Sequence, residues 1–429
     1  MTTSSWRMSA LLADLRSRRA FLGSLGALSA AAFAPRKLFT SQSELLPSAD
    51  AVQPARGLAA APDDFMFEPG LIYLQTGSLG PTPRPVLDRA LAAWKQLELN
   101  PAFYGYGELE HAMDDVRGQA AAFIGCNVSE LVLTNSTTEG MNWVAQGLTF
   151  RAGDRVLTTD QEHPGGRACW DYIARRHGVV LDVVAIPPGE NDADAIVDKI
   201  SRRITRRTRV LSFSHLLSST GLRMPVAELS ALARARGCVA VVDGAQAVGG
   251  VAVNVKSLGC HAYATSGHKW MLAPSGTGLL YLSEELGQTI APVALQGGRA
   301  AYSNSSGVTS IPSVLGLGAA INYLSSIGIQ RIETHNLALR NRLFAALQSV
   351  PQLRVVSAKP GELASPLITY ALPDSIDSGV LRQRMHDKHN IELKAVPRQW
   401  LNGNRVSTHL FNTESDIDTL VAALNKELA

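Results

Sequence analysis

Four short segments of this chain place groups able to do chemistry where an apolar run gives way to small polar residues. Ser266-Gly267-His268-Lys269-Trp270 sets an amine beside an imidazole, directly after the apolar stretch at residues 262–265. A lysine in a desolvated site can form a Schiff base with an aldehyde, although most lysines are simply exposed. Val241-Val242-Asp243-Gly244-Ala245-Gln246 ends a β-branched run on a carboxylate. Buried there, the carboxylate is costly unless paired. A protonated ring nitrogen would be a good partner, and a helix N-cap is the ordinary alternative. In Glu162-His163-Pro164-Gly165-Gly166 an imidazole beside two glycines could lie flat on a planar ring, or be a surface loop histidine. Residues 134–140, Thr-Asn-Ser-Thr-Thr-Glu-Gly, offer the free N–H groups of a helix start and the hydroxyls of Thr137 and Thr138. Such a cradle suits a phosphate, and plain capping explains it equally well.

The elements around these segments alternate. Strands are predicted at residues 131–134, 155–159, 179–186, 209–214, 239–242 and 262–265, with a further one at 278–282. Helices are predicted from about residue 139, around 170–176, at 193–203 and at 226–236. Short apolar strands alternating with helices imply a large, doubly wound, mostly parallel sheet, whose ligands sit beyond the carboxyl ends of the strands. All four segments fall at such ends. Helices at 312–324 and 331–349 lead out of this body. The predicted organisation is a linker at 35–64, a joining segment at 65–85, a large α/β domain at 86–330 and a smaller α/β domain at 331–429.

The chain has 429 residues, 46% hydrophobic and 18% charged, as in globular proteins. Its formal charge of +3 resides in residues 1–34, where Arg7, Arg16, Arg18 and Arg19 stand against Asp14. The neutral remainder argues against nucleic-acid binding. The cysteines, Cys126, Cys169, Cys238 and Cys260, form no CxxC pair or zinc spacing. No Walker loop, dinucleotide fingerprint or His-Glu-x-x-His motif is present. At the N-terminus, Ser17-Arg18-Arg19-Ala20-Phe21-Leu22 precedes a Gly/Ala-rich, weakly apolar run at residues 23–34. This resembles a bacterial twin-arginine signal and implies export to the periplasm by the twin-arginine translocase. The run is too short to span a bilayer, so no stable membrane insertion is expected.

The order of the four segments, with VVDGAQAVGG and SGHKWM as the most specific runs, resembles the class V aminotransferases over residues 70–425. These are fold-type I enzymes of pyridoxal 5'-phosphate (PLP), among them cysteine desulfurases and isopenicillin N epimerase-like proteins. The resemblance implies PLP as cofactor. It implies that Thr137, Thr138, Ser266 and His268 hold its phosphate and that His163 stacks on its ring. Asp243 would pair with the ring nitrogen, Gln246 bond the phenolic oxygen, and Lys269 carry the cofactor covalently. Arg405, in a run resembling the family's late arginine strand, would grip a substrate carboxylate. The expected substrate is an amine or amino-acid-containing small molecule, and the expected assembly a homodimer.

Transamination-type chemistry is the first expectation, with epimerisation or racemisation, C–S cleavage and a non-catalytic binding protein as alternatives. Exported relatives that tailor the glutamate side group of the siderophore pyoverdine supply a specific candidate role. Two departures stand out. No cysteine follows Cys260, where desulfurases need a nucleophile in a late loop, and Val308 in Gly307-Val308-Thr309 replaces the threonine that reaches the neighbouring subunit's phosphate. Ser218 also stands where desulfurases carry an asparagine.

Overall fold

The computed structural model describes residues 58–350 and 352–429. The arginine-pair signal and most of the linker lie outside the described residues. Within the linker stretch, Leu58–Asp64 is a 3-10 helix, and Asp64 accepts a hydrogen bond from Tyr323 Oη at 2.8 Å.

The larger sheet has seven strands. In chain order they follow a short β1 (Ile72–Tyr73): β2 (Leu131–Thr134), β3 (Arg155–Thr159), β4 (Val180–Val184), β5 (Thr208–Ser214), β6 (Val239–Asp243), β7 (Ala262–Ser266) and β8 (Gly278–Leu282). Their spatial order is β2-β8-β7-β6-β5-β3-β4. Strands β3 to β7 run parallel, and β8 is antiparallel to both β7 and β2. The connection from Ser266 to Gly278 is too short for a helical crossover, so the chain can only reverse there. Since β2 pairs with reversed β8, its carboxyl end returns to the same edge as those of β3, β5, β6 and β7.

Both faces of this sheet are covered, which is why its strands read as continuous apolar runs. Ala240, Val242 and Phe213 pack on one side with Leu229, Leu315 and Tyr323. Val241 and Val210 pack on the other with Met141, Trp170 and Ile173. The helix Ile311–Ile327 is buried almost all round. Among the described residues no single helix is long and apolar enough to cross a membrane.

The C-terminal body has its own core around Leu343, Ile368, Tyr370, Met385, Val406 and Leu420. Its sheet is built from β9 (Arg354–Val355), β10 (Leu367–Ala371), β12 (Lys394–Ala395) and β13 (Gly403–Ser407), in the order β12-β13-β10-β9. A short β11 (Ile391–Glu392) pairs with β1, and Leu74 joins this core. The chain is therefore anchored in the small sheet at residues 72–75 before it crosses the edge of the large one.

Candidate active site

The carboxyl ends of β2, β3, β5, β6 and β7 open into a cavity of about 390 Å³, within the size range of small-molecule sites. Thr137, Thr138, His163, Ser218, Asp243, Gln246, Ser266, His268, Lys269 and Arg405 all line it. One site thus gathers residues spread over nearly 270 positions of sequence.

The phosphate-sized corner is built on the start of the helix Thr137–Gly147, where Ser136 caps Glu139 N–H at 3.2 Å. Thr137 N–H donates to Ser266 Oγ at 2.9 Å, and the two hydroxyls lie 2.8 Å apart. The Thr138 N–H, left over in this first turn once Thr137, Glu139 and Gly140 have bonded, and the remaining hydroxyl proton point a positive potential into the cavity. His268 lines the same cavity, and its Nδ1 is buried without a partner.

Asp243 closes β6 and is only 6% exposed. Its Oδ1 accepts from Ala245 N–H at 3.0 Å, which stabilises a tight turn and not a helix start. Burial pushes its pKa up, against that hydrogen bond and the charge of Lys269. Gly166 makes room for it, since a Cβ there would stand 2.3 Å from Asp243 Oδ2. Behind it lies a second buried carboxylate, Glu162, held by Thr159 Oγ1 and Ser214 Oγ at 2.6 Å each. Burial, with the charge of Asp243 adding to it, raises the Glu162 pKa to about 7. His163 caps the helix Pro164–His177 by accepting Gly165 N–H at Nδ1, 3.1 Å away. The proton of its neutral form therefore sits on Nε2. Burial first, then Lys269, lowers its pKa.

Lys269 Nζ has no hydrogen-bond partner among the described residues, and burial lowers its pKa. Its backbone is clamped. Gly80 N–H donates to His268 O at 2.9 Å, and a Cβ on Gly80 would stand 1.8 Å from Lys269 O, so only glycine fits. His409 Nε2 contacts Trp270 O at 2.9 Å from the C-terminal body. Trp270 Nε1 donates to Gln246 Oε1 at 2.9 Å, and because an indole can only donate, this fixes the amide. Gln246 Nε2 then donates to Gly77 O at 2.8 Å, which leaves one amide proton for a ligand.

Arg405, the central residue of β13, is 4% exposed and has no carboxylate partner among the described residues. Its Nη1 donates to Ser218 O at 2.7 Å and its Nη2 to Ser78 Oγ at 3.4 Å, while its Nε is unpartnered. Burial lowers its pKa only to about 10, so it stays cationic at neutral pH. It is not the surface arginine that its sequence context allows.

The cavity also has lining that motif reasoning missed. Gly77 and Ser78 come from the segment after β1, and Lys394, Val396, Pro397 and Trp400 from the C-terminal body. The one local signal was a lone basic residue in the alternating run Ile391-Glu392-Leu393-Lys394-Ala395-Val396. Residues 307–309 do not reach this chain's cavity: Gly307 and Thr309 line a separate cleft beside Asn135 and Glu139, and Val308 is 68% exposed. All four cysteines are free, and none lines the cavity. No cluster of His, Cys, Asp and Glu among the described residues could hold a metal.

Known proteins resemble this chain in sequence and fold. Residues 72–420 match the family described as aminotransferase class-V. An isopenicillin N epimerase from Amycolatopsis lactamdurans is 31% identical over 87% of this chain and 99% of its own length. A cysteine desulfurase from Salmonella newport (strain SL254) is 30% identical over 80% of this chain and 93% of its own. The apo structure of a cysteine desulfurase from Thermococcus onnurineus NA1 superposes with a TM-score of 0.75 at 25% identity, covering 87% of this chain and 98% of that one. The cystine C–S lyase C-DES, with a TM-score of 0.75 at 24% identity, shares the fold.

Proposed function

The chain belongs to the class V aminotransferase family, and from that premise we propose that it is a PLP-dependent enzyme acting on a primary amine next to a carboxylate. The observation that carries this reading is the pairing of an unpartnered Lys269 with a buried Asp243 in one cavity. The cavity fits PLP at each end. Asp243 has no ion pair at bonding distance among the described residues, which a protonated ring nitrogen would supply. The helix start with Ser266 and the unpartnered His268 Nδ1 suits the phosphate. His163 would face the ring, and Lys269 would hold the cofactor covalently. Bound there, PLP supplies a sink for the electron pair left at the substrate's α carbon.

The chain's own groups do the rest. Arg405, fixed by Ser218 and Ser78, orients the substrate by its carboxylate. Released when the substrate amine takes its place, Lys269 Nζ, its pKa lowered by burial, would take a proton from the α carbon and return one. Asp243 would pair with the ring nitrogen. Where the proton returns sets the outcome. Transamination-type turnover is the first reading; likeness to isopenicillin N epimerase favours epimerisation as the second. Persulfide chemistry has no support, since no cysteine follows Cys260.

The arginine-pair N-terminus supports export to the periplasm, and with it the candidate role of tailoring the glutamate side group of pyoverdine. A homodimer is part of the same reading. An apolar cleft around Trp94, Tyr106 and Val308 beside the 307–309 loop supports it. The test incubates PLP-loaded protein with single L-amino acids. Transamination bleaches the yellow cofactor and releases a keto acid. Epimerisation leaves the absorbance and yields the D-enantiomer. A protein that stays colourless with PLP is not this enzyme. Replacing both Arg18 and Arg19 by lysine should keep the protein in the cytoplasm, and unchanged periplasmic recovery would exclude twin-arginine export.

A further inference from the structure

Lys394 is a second cation in the substrate side of the cavity, and nothing so far accounts for it. It faces Arg405 directly across the antiparallel pair β12–β13, so both side chains rise on the same face of the small sheet. Both line the cavity. Like charges directly opposite on neighbouring strands destabilise a sheet: the Lys394 pKa is pushed down by burial and then by Arg405. Neither has a carboxylate within ion-pair distance among the described residues. Glu392, the nearest acid along the strand, is committed to Gln75, His386 and Arg382.

The charges around the cavity therefore do not balance. Its lining holds three ionised candidates of positive sign, Lys269, Lys394 and Arg405, against one carboxylate, Asp243. On the functional reading above, Lys269 is committed to the cofactor and Asp243 to its ring. Two cations then face the incoming substrate from the small sheet. The carboxylate of a simple amino acid satisfies one of them. Arg405 is held rigidly by Ser218 and Ser78, as suits the invariant group next to the reacting amine. Lys394 is a half-buried point charge on a flexible stem, as suits a group at variable reach. Val396, Pro397 and Trp400 supply apolar wall beside it for the methylenes in between.

We propose that the substrate is an α-amino acid carrying a second carboxylate, and that Lys394 recognises that second carboxylate. The proposal rests on the PLP reading, and the test separates the two. PLP-loaded protein is titrated calorimetrically with glutarate and with butyrate, two acids without an amine, so binding is read without turnover. Glutarate should bind at least about tenfold tighter than butyrate. Lys394→Gln should lose that preference, weakening glutarate about 10- to 100-fold and butyrate less than about threefold, and Lys394→Arg should restore it in part. In kinetics, L-glutamate should outperform L-norvaline in kcat/KM for the unsubstituted enzyme only. Loading is read separately from the yellow absorbance in every variant. A loaded protein that binds the two acids alike, or a Lys394→Gln that weakens both equally, overturns the proposal. A protein that takes up no PLP overturns the functional reading beneath it.

Discussion

The two walls of the cavity are built on opposite principles. The wall from the large sheet is made of strand ends, a helix start and small hydroxyls. Most of its polar atoms are already tied to each other: Thr137 to Ser266, Glu162 to Thr159 and Ser214, Gln246 to Trp270 and Gly77. Its charged groups have opposite signs, Asp243 and Lys269. The wall from the small sheet carries two like charges, Lys394 and Arg405, with no anion paired to either among the described residues. A wall whose own charges balance is suited to hold one resident group for many turnovers. A wall with unsatisfied charge is suited to a partner that enters and leaves. On this account the resident group belongs to the large body and substrate choice to the small one.

Substitutions on the two walls should therefore fail in different ways. Lys269→Ala has the largest expected effect, a loss of turnover of about a thousandfold or more, with phosphate-driven PLP binding partly kept. Stopped assays with dialysed cofactor read both properties. Asp243→Ala breaks a buried charge pair, at a cost of roughly 3–5 kcal/mol, so PLP affinity should fall about a hundredfold or more. Near-normal affinity by fluorescence titration would reduce Asp243 to a turn-former. Arg405→Ala should leave PLP absorbance in place and raise KM for a carboxylated amine about thirtyfold or more, in line with an unpaired buried charge contact. If it instead abolishes cofactor uptake, the division between the walls is wrong.

The smallest effect concerns Glu162, whose pKa burial raises from 4.5 to about 7. Between those values the folded protein holds a proton that the unfolded chain has released. The associated stability is present in full below about pH 4.5 and is lost as pH rises through about 7. The span corresponds to about 3 kcal/mol at most. The melting temperature of the cofactor-free protein should fall by a few degrees across that window, and Glu162→Gln should flatten the decline. An unchanged slope in that variant would locate the titration elsewhere.

The large-sheet wall was legible in the sequence because each part is local. VVD ending β6, SGHKW after β7 and the Ser/Thr run after β2 each carry their element and their side chain within a few residues. That they share one edge follows from parallel topology, with β8 turned back by a short connection. The small-sheet wall was not legible in the same way. Lys394 matters only because β12 pairs with β13, and Gly77 and Ser78 only because the chain crosses from the small body over the large one. A Cβ on Gly77 would stand 2.8 Å from Gln246 and 2.9 Å from Arg405, residues far apart in sequence. Periodicity cannot report such contacts. Arg405 was found through family resemblance, since a buried arginine inside a strand has no local signature. The linker composition of residues 58–64 likewise gave no hint of a 3-10 helix packed on Tyr323.

The central claim, that this cavity holds PLP on Lys269, is tested most directly by borohydride reduction of the cofactor-loaded protein followed by peptide mapping. The account predicts a single pyridoxyl adduct on the peptide containing Ser266-Gly267-His268-Lys269, absent from Lys269→Ala. A stable adduct on Lys394 or any other lysine, with Lys269 unmodified, would contradict it.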